Sequence, residues 1–293
     1  MNLIRITEFV EETPGKMVST SPFQILFFIL STLSFVNPLN LAVLKECGKL
    51  KRAGKIVGGT EASRDEAPWI VSLKLKTKGK HICGGTLISE RFVLTAAHCV
   101  QGELARQIQV TIRDHRIKEQ QEKLPSYVMK HDKVIRHAGY SSVTHHHDIA
   151  LIRLKEPVVW DDLTEPACLP DSEDTDFHGL SGIVAGWGRL SEGGLSPVTL
   201  MKVTVPILEN NKCKTLMAQH FNIIERQICA GFDSGLYDAC QGDSGGPMVV
   251  RKNGRYIVAG IVSVGVGCAR PKLPGVYTNV AQYLDWIVEN AKV

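Results

Sequence analysis

This sequence predicts an all-β fold, a sandwich or a barrel. Three observations carry that expectation. Short apolar runs recur between Trp69 and Val264, turn residues separate them, and only one segment, near the C-terminus, has a convincing helical period. In chain order the runs are Trp69–Leu75 (WIVSLKL), Thr86–Thr95 (TLISERFVLT), Ile108–Ile112, Ile149–Leu154 (IALIRL), Gly182–Ala185, Lys202–Ile207, Pro247–Val250 and Tyr256–Val264. They are rich in Val, Ile, Leu and Thr, side chains that fit a pleated, half-buried surface. The helix is expected around Gln282–Asn290, with Leu284, Ile287 and Val288 on one face. No repeat recurs at a solenoid period.

Composition narrows the function classes. The chain has 293 residues, 44% hydrophobic and 22% charged, with no low-complexity run. Length alone allows one large or two ordinary domains. Of the formal charge of +4, residues 1–55 hold most, with seven Lys/Arg against four Asp/Glu. The remainder is close to neutral, so charge gives no reason to expect a nucleic-acid partner. Cysteines stand at 47, 83, 99, 168, 213, 229, 240 and 268. An even count without CxxC pairs points to disulfides in an oxidising compartment rather than to zinc. Paired free thiols in a core are the plain alternative.

The N-terminus points the same way. Phe23–Val36 (FQILFFILSTLSFV) is an uncharged apolar run of 14 residues, the size of a signal-peptide core and short for a membrane span. Acidic Glu8, Glu11 and Glu12 precede it where basic residues are expected, and translation from Met17 would leave a leader of ordinary shape. Residues 1–42 are read as the leader, with Ala42 the candidate cleavage position, and 43–55 as a propeptide. An uncleaved signal anchor reaching Leu44 is the rival, against which Asn37, Pro38 and Asn40 count. The stretch Cys47–Lys55 (CGKLKRAGK) is basic and Gly-containing, and reads as an exposed, cleavable link.

Three motifs carry chemistry. In Asp238–Pro247 (DACQGDSGGP), glycines around Ser244 give the backbone freedom to expose its hydroxyl and aim N–H groups at a substrate oxygen. A Gly-rich turn alone is commonly just a turn, but the full string is far more specific. The others are Thr95–Cys99 (TAAHC) and Asp148–Ile152 (DIALI). With these motifs, from Ile56 onward, the chain resembles the chymotrypsin family of serine proteases, and its trypsin-like members most.

The resemblance implies two six-stranded antiparallel β-barrels packed face to face, with a C-terminal helix and the active site in the cleft between them. Residues 56–293 would form this domain, with the barrel boundary near 160–180. It implies His98 as general base, Asp148 as the carboxylate that orients it, and Ser244 as nucleophile. Gly242 and Ser244 would supply the oxyanion-hole N–H groups. Asp238 would lie at the floor of the specificity pocket and select Arg or Lys, with Ala239, Ser263, Gly265 and Gly275 around it. Val264 departs from the family, which usually has Trp there, and puts the aromatic wall for residues upstream of the cut in doubt.

Further consequences of the resemblance concern activation. Cleavage after Lys55 would free the Ile56 α-ammonium to pair with Asp243. The implied disulfides are Cys47–Cys168, which tethers the propeptide, with Cys83–Cys99, Cys213–Cys229 and Cys240–Cys268. Pro274 in place of an aromatic speaks against sodium. Asp114, Glu119 and Glu122 in Arg113–Leu124 lack calcium-loop spacing, and no N-x-S/T sequon occurs. His145, His146 and His147 could suggest a metal tract, but adjacent residues of an extended chain point to opposite faces. By alignment, His145 borders the pocket for the second residue before the cut. No metal or cofactor is expected. The expected partners are peptide or protein substrates, an activating protease and a protein inhibitor, with no nucleic acid and no membrane. The protein is expected to be a secreted, extracellular monomer. Rival readings are a catalytically dead homologue acting as a binding module, and a regulated cascade protease rather than a digestive one.

Overall fold

The computed structural model describes residues 47–50, 59–117, 126–171, 174 and 176–292, all belonging to the unit Pro38–Val293. The leader and the Lys55–Ile56 junction lie outside the described residues, as do Glu119 and Glu122.

The strands are β1 (Thr60–Glu61), β2 (Ile70–Leu75), β3 (His81–Leu87), β4 (Phe92–Thr95), β5 (Ile108–Ile112), β6 (Tyr127–Met129), β7 (His131–Arg136), β8 (Ala150–Leu154), β9 (Ser181–Gly186), β10 (Met201–Pro206), β11 (Gln227–Ala230), β12 (Pro247–Lys252), β13 (Arg255–Val264) and β14 (Gly275–Asn279). They form two antiparallel sheets of seven, ordered β6-β5-β2-β3-β4-β8-β7 and β1-β10-β9-β12-β13-β14-β11.

Both sheets curl shut. In the first, β6 and β7 are separated only by Lys130, yet β6 pairs with β5 (Val110 opposite Met129) and β7 with β8 (Val134 opposite Ile152). One bent stretch therefore joins both edges. In the second, an Ile207–Ala230 bridge and the Leu208 N–H to Cys229 O bond of 2.9 Å bring the end of β10 to β11. The two-residue β1 lies outside this closure, on the edge of β10. The count of seven against an expected six thus comes from one bent strand split in two and one short edge strand. The two-barrel architecture stands.

The first barrel is filled by Val71, Leu73, Leu87, Phe92, Leu94 and Ile108, the second by Val184, Val205, Ile228, Met248, Val250 and Tyr277. Burying each such aliphatic side chain contributes about 1.5–3 kcal/mol. All eight cysteines are joined, as Cys47–Cys168, Cys83–Cys99, Cys213–Cys229 and Cys240–Cys268.

Several elements depart from expectation. Thr86–Thr95 is two strands, because Ser89 Oγ accepts the Arg91 and Phe92 N–H groups and turns the chain into the β3–β4 hairpin. Strand β6 is three apolar but largely exposed residues, too short to show alternation, and β7 is mostly polar and partly exposed. Helix α1 (Leu104–Gln107) is a single turn, and α2 (Asn210–Met217) buries only Cys213 and Met217 beneath a polar surface. Helix α3 (Leu284–Asn290) follows a 3-10 turn, Val280–Tyr283. Its buried side is Ile287 with Tyr283 of that turn, whereas Val288 is 39% exposed. Tyr283 and Ile287 pack into the first barrel's core, so the chain leaves the second sheet through β14 and ends on the first.

Gly84 in β3 meets Gly246, the residue that leads into β12, backbone to backbone. A Cβ on Gly84 would stand 2.7 Å from Gly246 Cα, backbone that cannot move without shifting the serine turn. Gly84→Ala is expected to cost about 1–3 kcal/mol by overpacking, read as a lower denaturant midpoint at unchanged slope. A midpoint equal to wild type would show that the barrels can part there freely.

Candidate active site

His98 lies in a 3-10 turn, Ala97–Val100, at the end of β4, and Cys83–Cys99 ties that turn to β3. Asp148 is fully buried just before β8. Its Oδ1 accepts the His98 backbone N–H at 2.9 Å, and its Oδ2 accepts His98 Nδ1–H at 2.7 Å. From the second barrel, Ser263 Oγ–H donates to Oδ2 at 2.7 Å, and Thr278 Oγ1–H donates to the Asp148 carbonyl at 2.8 Å. Burial pushes the Asp148 carboxyl up, but the bonds from His98 and Ser263 outweigh it and hold it below its ordinary value. A carboxylate only accepts, so Nδ1 carries the proton and the Nε2 lone pair is left to act as a base.

Ser244 stands in the turn leading into β12. Its carbonyl accepts the Gly84 N–H at 2.8 Å, which sets the serine turn against the strand bonded to the His98 turn. Gly245 has φ +77, and a Cβ there would lie 2.7 Å from Gly84 O and collide with Thr95 Oγ1, so only glycine fits. Within this turn, the N–H groups of Asp243, Gly245 and Gly246 donate to Cys240, Val262 and Asp243 carbonyls. Those of Gly242 and Ser244 have no protein acceptor among the described residues. Two unspent donors flank the hydroxyl.

Ser244 also lines a cavity of about 130 Å³ with Asp238, Ala239, Ser263, Val264, Gly265 and Gly275. Asp238 Oδ1 accepts the Ala239 N–H at 2.8 Å and Oδ2 the Ala269 N–H at 3.3 Å. Burial drives its carboxyl up to about 7; those two bonds oppose the rise, and the Asp243 charge adds to it. A Cβ on Gly275 would stand 2.7 Å from Asp238 Oδ1, whereas one on Gly265 meets only Gly267 O at 3.5 Å. Val264 packs against the buried cluster of Cys213, Met217, Ile223, Cys229 and Val276.

Asp243 lines a second cavity of about 350 Å³, which Asp238 also borders, together with Gly59, Gly188, Leu190, Leu236 and Tyr237. Its carboxylate accepts the Gly188 N–H at 2.7 Å and the Cys240 N–H at 2.9 Å, and burial raises its pKa to about 6. Side chains at Gly186 or Gly188 would run into this carboxylate.

The histidine tract is not extended, since His145 and His147 both have φ +54. The three side chains consequently part company. His145 meets Phe221 edge-on, His146 Nε2 bonds Asn222 O at 2.9 Å, and His147 stacks on His137 and bonds Tyr283 OH. Asp114, of the expected acidic stretch, is buried against Lys74 at 2.6 Å.

Other site residues carry no local signal. His81 Nε2 bonds the Gly242 carbonyl at 2.8 Å and its Nδ1 meets Ser72 Oγ at 2.8 Å. A carbonyl only accepts, so Nε2 bears the proton and Nδ1 takes the Ser72 hydrogen; burial favours this neutral ring by lowering its pKa. Tyr277 lines the Asp238 cavity, fully buried, its hydroxyl without a protein partner among the described residues.

A carboxylate–imidazole pair shared by two antiparallel barrels, beside a glycine-flanked serine, defines the class of serine proteases. The family model described as Trypsin matches residues 56–287, and the chain belongs to that family. A curated relative, the serine proteinase stubble of Drosophila melanogaster, is 39% identical over 263 residues, covering 86% of this chain and 33% of that protein. The chain thus spans about a third of that relative's length.

The raised Asp238 pKa sets a pH dependence. Near pH 7 the empty cavity is partly protonated, and a cation binds the ionised form. Affinity for a small amidine such as benzamidine should therefore climb as pH rises through about 7, with proton release on binding. Calorimetry at pH 7 in two buffers of different ionisation enthalpy reads that release directly. Identical heats in both buffers would mean that Asp238 is already ionised when the cavity is empty.

Proposed function

We propose that this chain is a secreted serine endopeptidase, made as a zymogen cleaved after Lys55, that hydrolyses peptide bonds after Arg in preference to Lys. The observation that carries this reading is that Asp238 and Ser244 line one cavity. A cationic side chain seated on Asp238 presents the carbonyl of its own residue to the Ser244 hydroxyl.

His98 Nε2 takes the Ser244 proton as Oγ attacks that carbonyl, and the resulting imidazolium is stabilised by Asp148. The oxyanion is received by the Gly242 and Ser244 N–H groups, donors left unspent within the protein and so oriented for charge that develops only in the transition state. His98 then protonates the leaving amine, which departs and leaves an acyl-enzyme. Water repeats the sequence and frees the acid. The binding-module reading loses ground because no triad residue and no oxyanion glycine is missing.

Ala239 sets the preference for arginine. A lysine ammonium gains from a hydroxyl near the pocket floor, which alanine lacks, whereas a guanidinium can meet Asp238 with two bonds. One lost hydrogen bond of about 0.5–1.5 kcal/mol is worth roughly 2- to 12-fold in kcat/KM. On matched Arg and Lys amide substrates, Ala239→Ser should narrow the ratio by improving lysine. Asp238→Ser should remove most activity on both, and Ser244→Ala should also abolish labelling by a phosphonate probe. Preferred cleavage after Phe or Leu would overturn the role of Asp238, and equal Arg and Lys rates that of Ala239.

The Asp243 cavity supports the zymogen reading. Gly59 lines it, and Ile56 is three residues away, about 10 Å of extended chain. An α-ammonium there would give the buried carboxylate a charge partner and bind the serine turn from behind. Cys47–Cys168 would keep the cut propeptide attached. Secretion is supported by four disulfides, and no helix among the described residues is long and apolar enough to cross a membrane. The expected partners are an activating protease and a protein inhibitor acting on a monomer. Lys55→Gln should fold, resist activation by trypsin and remain nearly inactive. Full activity in the uncut chain would refute the switch.

A further inference from the structure

A band of cations crosses one end of the first barrel, apart from the residues above. Lys76, Lys78 and Lys80, all exposed, share the turn between β2 and β3. The Lys76 N–H donates to Gln107 O at 2.8 Å and its Nζ to Arg106 O at 2.7 Å, which places Arg106, 83% exposed, beside it. His131 Nε2 bonds Ala105 O at 3.2 Å, bringing the neighbouring exposed Lys130 alongside. The Lys130 carbonyl accepts the Lys155 N–H at 2.8 Å, and the Lys155 carbonyl accepts Arg91 Nη1 at 2.8 Å. Hydrogen bonds thus link the backbone into one strip carrying seven cations.

The strip holds three carboxylates, Glu90, Glu103 and Glu156; Asp132 at its side is taken by Arg153 in two bonds. Among the described residues, Arg106 alone of the seven forms an ion pair with a carboxylate, Glu103 at 3.4 Å, while Arg91 lies near enough to Asp132 to help hold its pKa down. Seven against three is an excess of four, whereas residues 56–293 as a whole are close to neutral. The charge is gathered along one run of neighbouring segments, and such a field draws polyanions.

We propose that this strip is a binding site for a sulfated polysaccharide. Five of the seven cations are lysines, compact point charges that suit spaced sulfates, and the one ring that the strip contains among its named residues, His131, is turned to the Ala105 carbonyl. Single-stranded nucleic acid is therefore the poorer fit. The choice of polysaccharide rests on the extracellular location proposed above, where such chains are the prevalent linear polyanions. Bound this way, the protease would be held on a matrix with its cavity free.

The test uses the activated full chain, with heparin as probe and hyaluronan and a single-stranded oligodeoxynucleotide as comparisons, across a salt series. Heparin should bind best, and log Kd should change linearly with log salt with a slope on the order of four, near 0.9 per neutralised charge. The triple variant K76Q/K78Q/K80Q should bind heparin about tenfold more weakly, with a shallower slope. A second variant, K130Q/K155Q, should weaken it by a smaller factor. Both should hydrolyse a small arginine amide at the wild-type rate, and near-UV circular dichroism checks their fold independently of activity. Heparin binding that is absent, or unchanged in both variants, overturns the site; oligonucleotide binding as tight as heparin overturns the ligand class. Loss of the protease reading would appear separately as an inactive wild type. Loss of the extracellular reading would appear as a chain missing from the medium of expressing cells.

Discussion

The structure depends on one buried carboxylate. Asp148 is carried by the first barrel and has no contact with water, a position that costs several kcal/mol for an ion without partners. Two of its bonds come from His98 and one from Ser263, so the ion is satisfied only when both barrels are in place. The same bonds select the tautomer of His98. A requirement of folding, that a buried charge be paired, is thereby also the requirement of the chemistry.

The remaining contacts between the barrels serve that junction. Gly84 and Gly246 let the two backbones meet, the Ser244 carbonyl is held by Gly84, and Cys83–Cys99 fastens the neighbouring turn. Two further carboxylates share the serine segment: Asp238 borders both cavities, and Asp243 only the one beside Gly59. Both have raised pKa values for the same reason, burial with only backbone N–H partners. In the proposed function each would meet a cation, one from the substrate and one from the chain itself.

Much of this was legible because the reacting residue types sit in short motifs. His98, Asp148, Ser244 and Asp238 could be singled out from segments of five to ten residues, and the strands with strong apolar runs from their composition. What was hidden has nonlocal causes. His81 finds Gly242 across 161 positions and Thr278 finds Asp148 across 130, and neither has a neighbour in sequence that announces the contact. The three histidine rings do part, but through two left-handed residues that send them to different elements rather than through the alternation of an extended chain. Val288 misled because a preceding 3-10 turn put Tyr283, not Val288, on the buried side.

The long spans of these contacts bear on how the chain behaves while it is being made. The Ser263–Asp148 bond joins residues 115 apart, and both barrels must close before it can form. Contacts of such sequence separation are late events in folding, since the loop entropy must be overcome first. An incompletely folded chain therefore has a solvated, unpositioned His98 and no site. The paired Asp148–His98 arrangement arrives only with the finished fold, and in the proposed activation even that fold awaits the cut after Lys55.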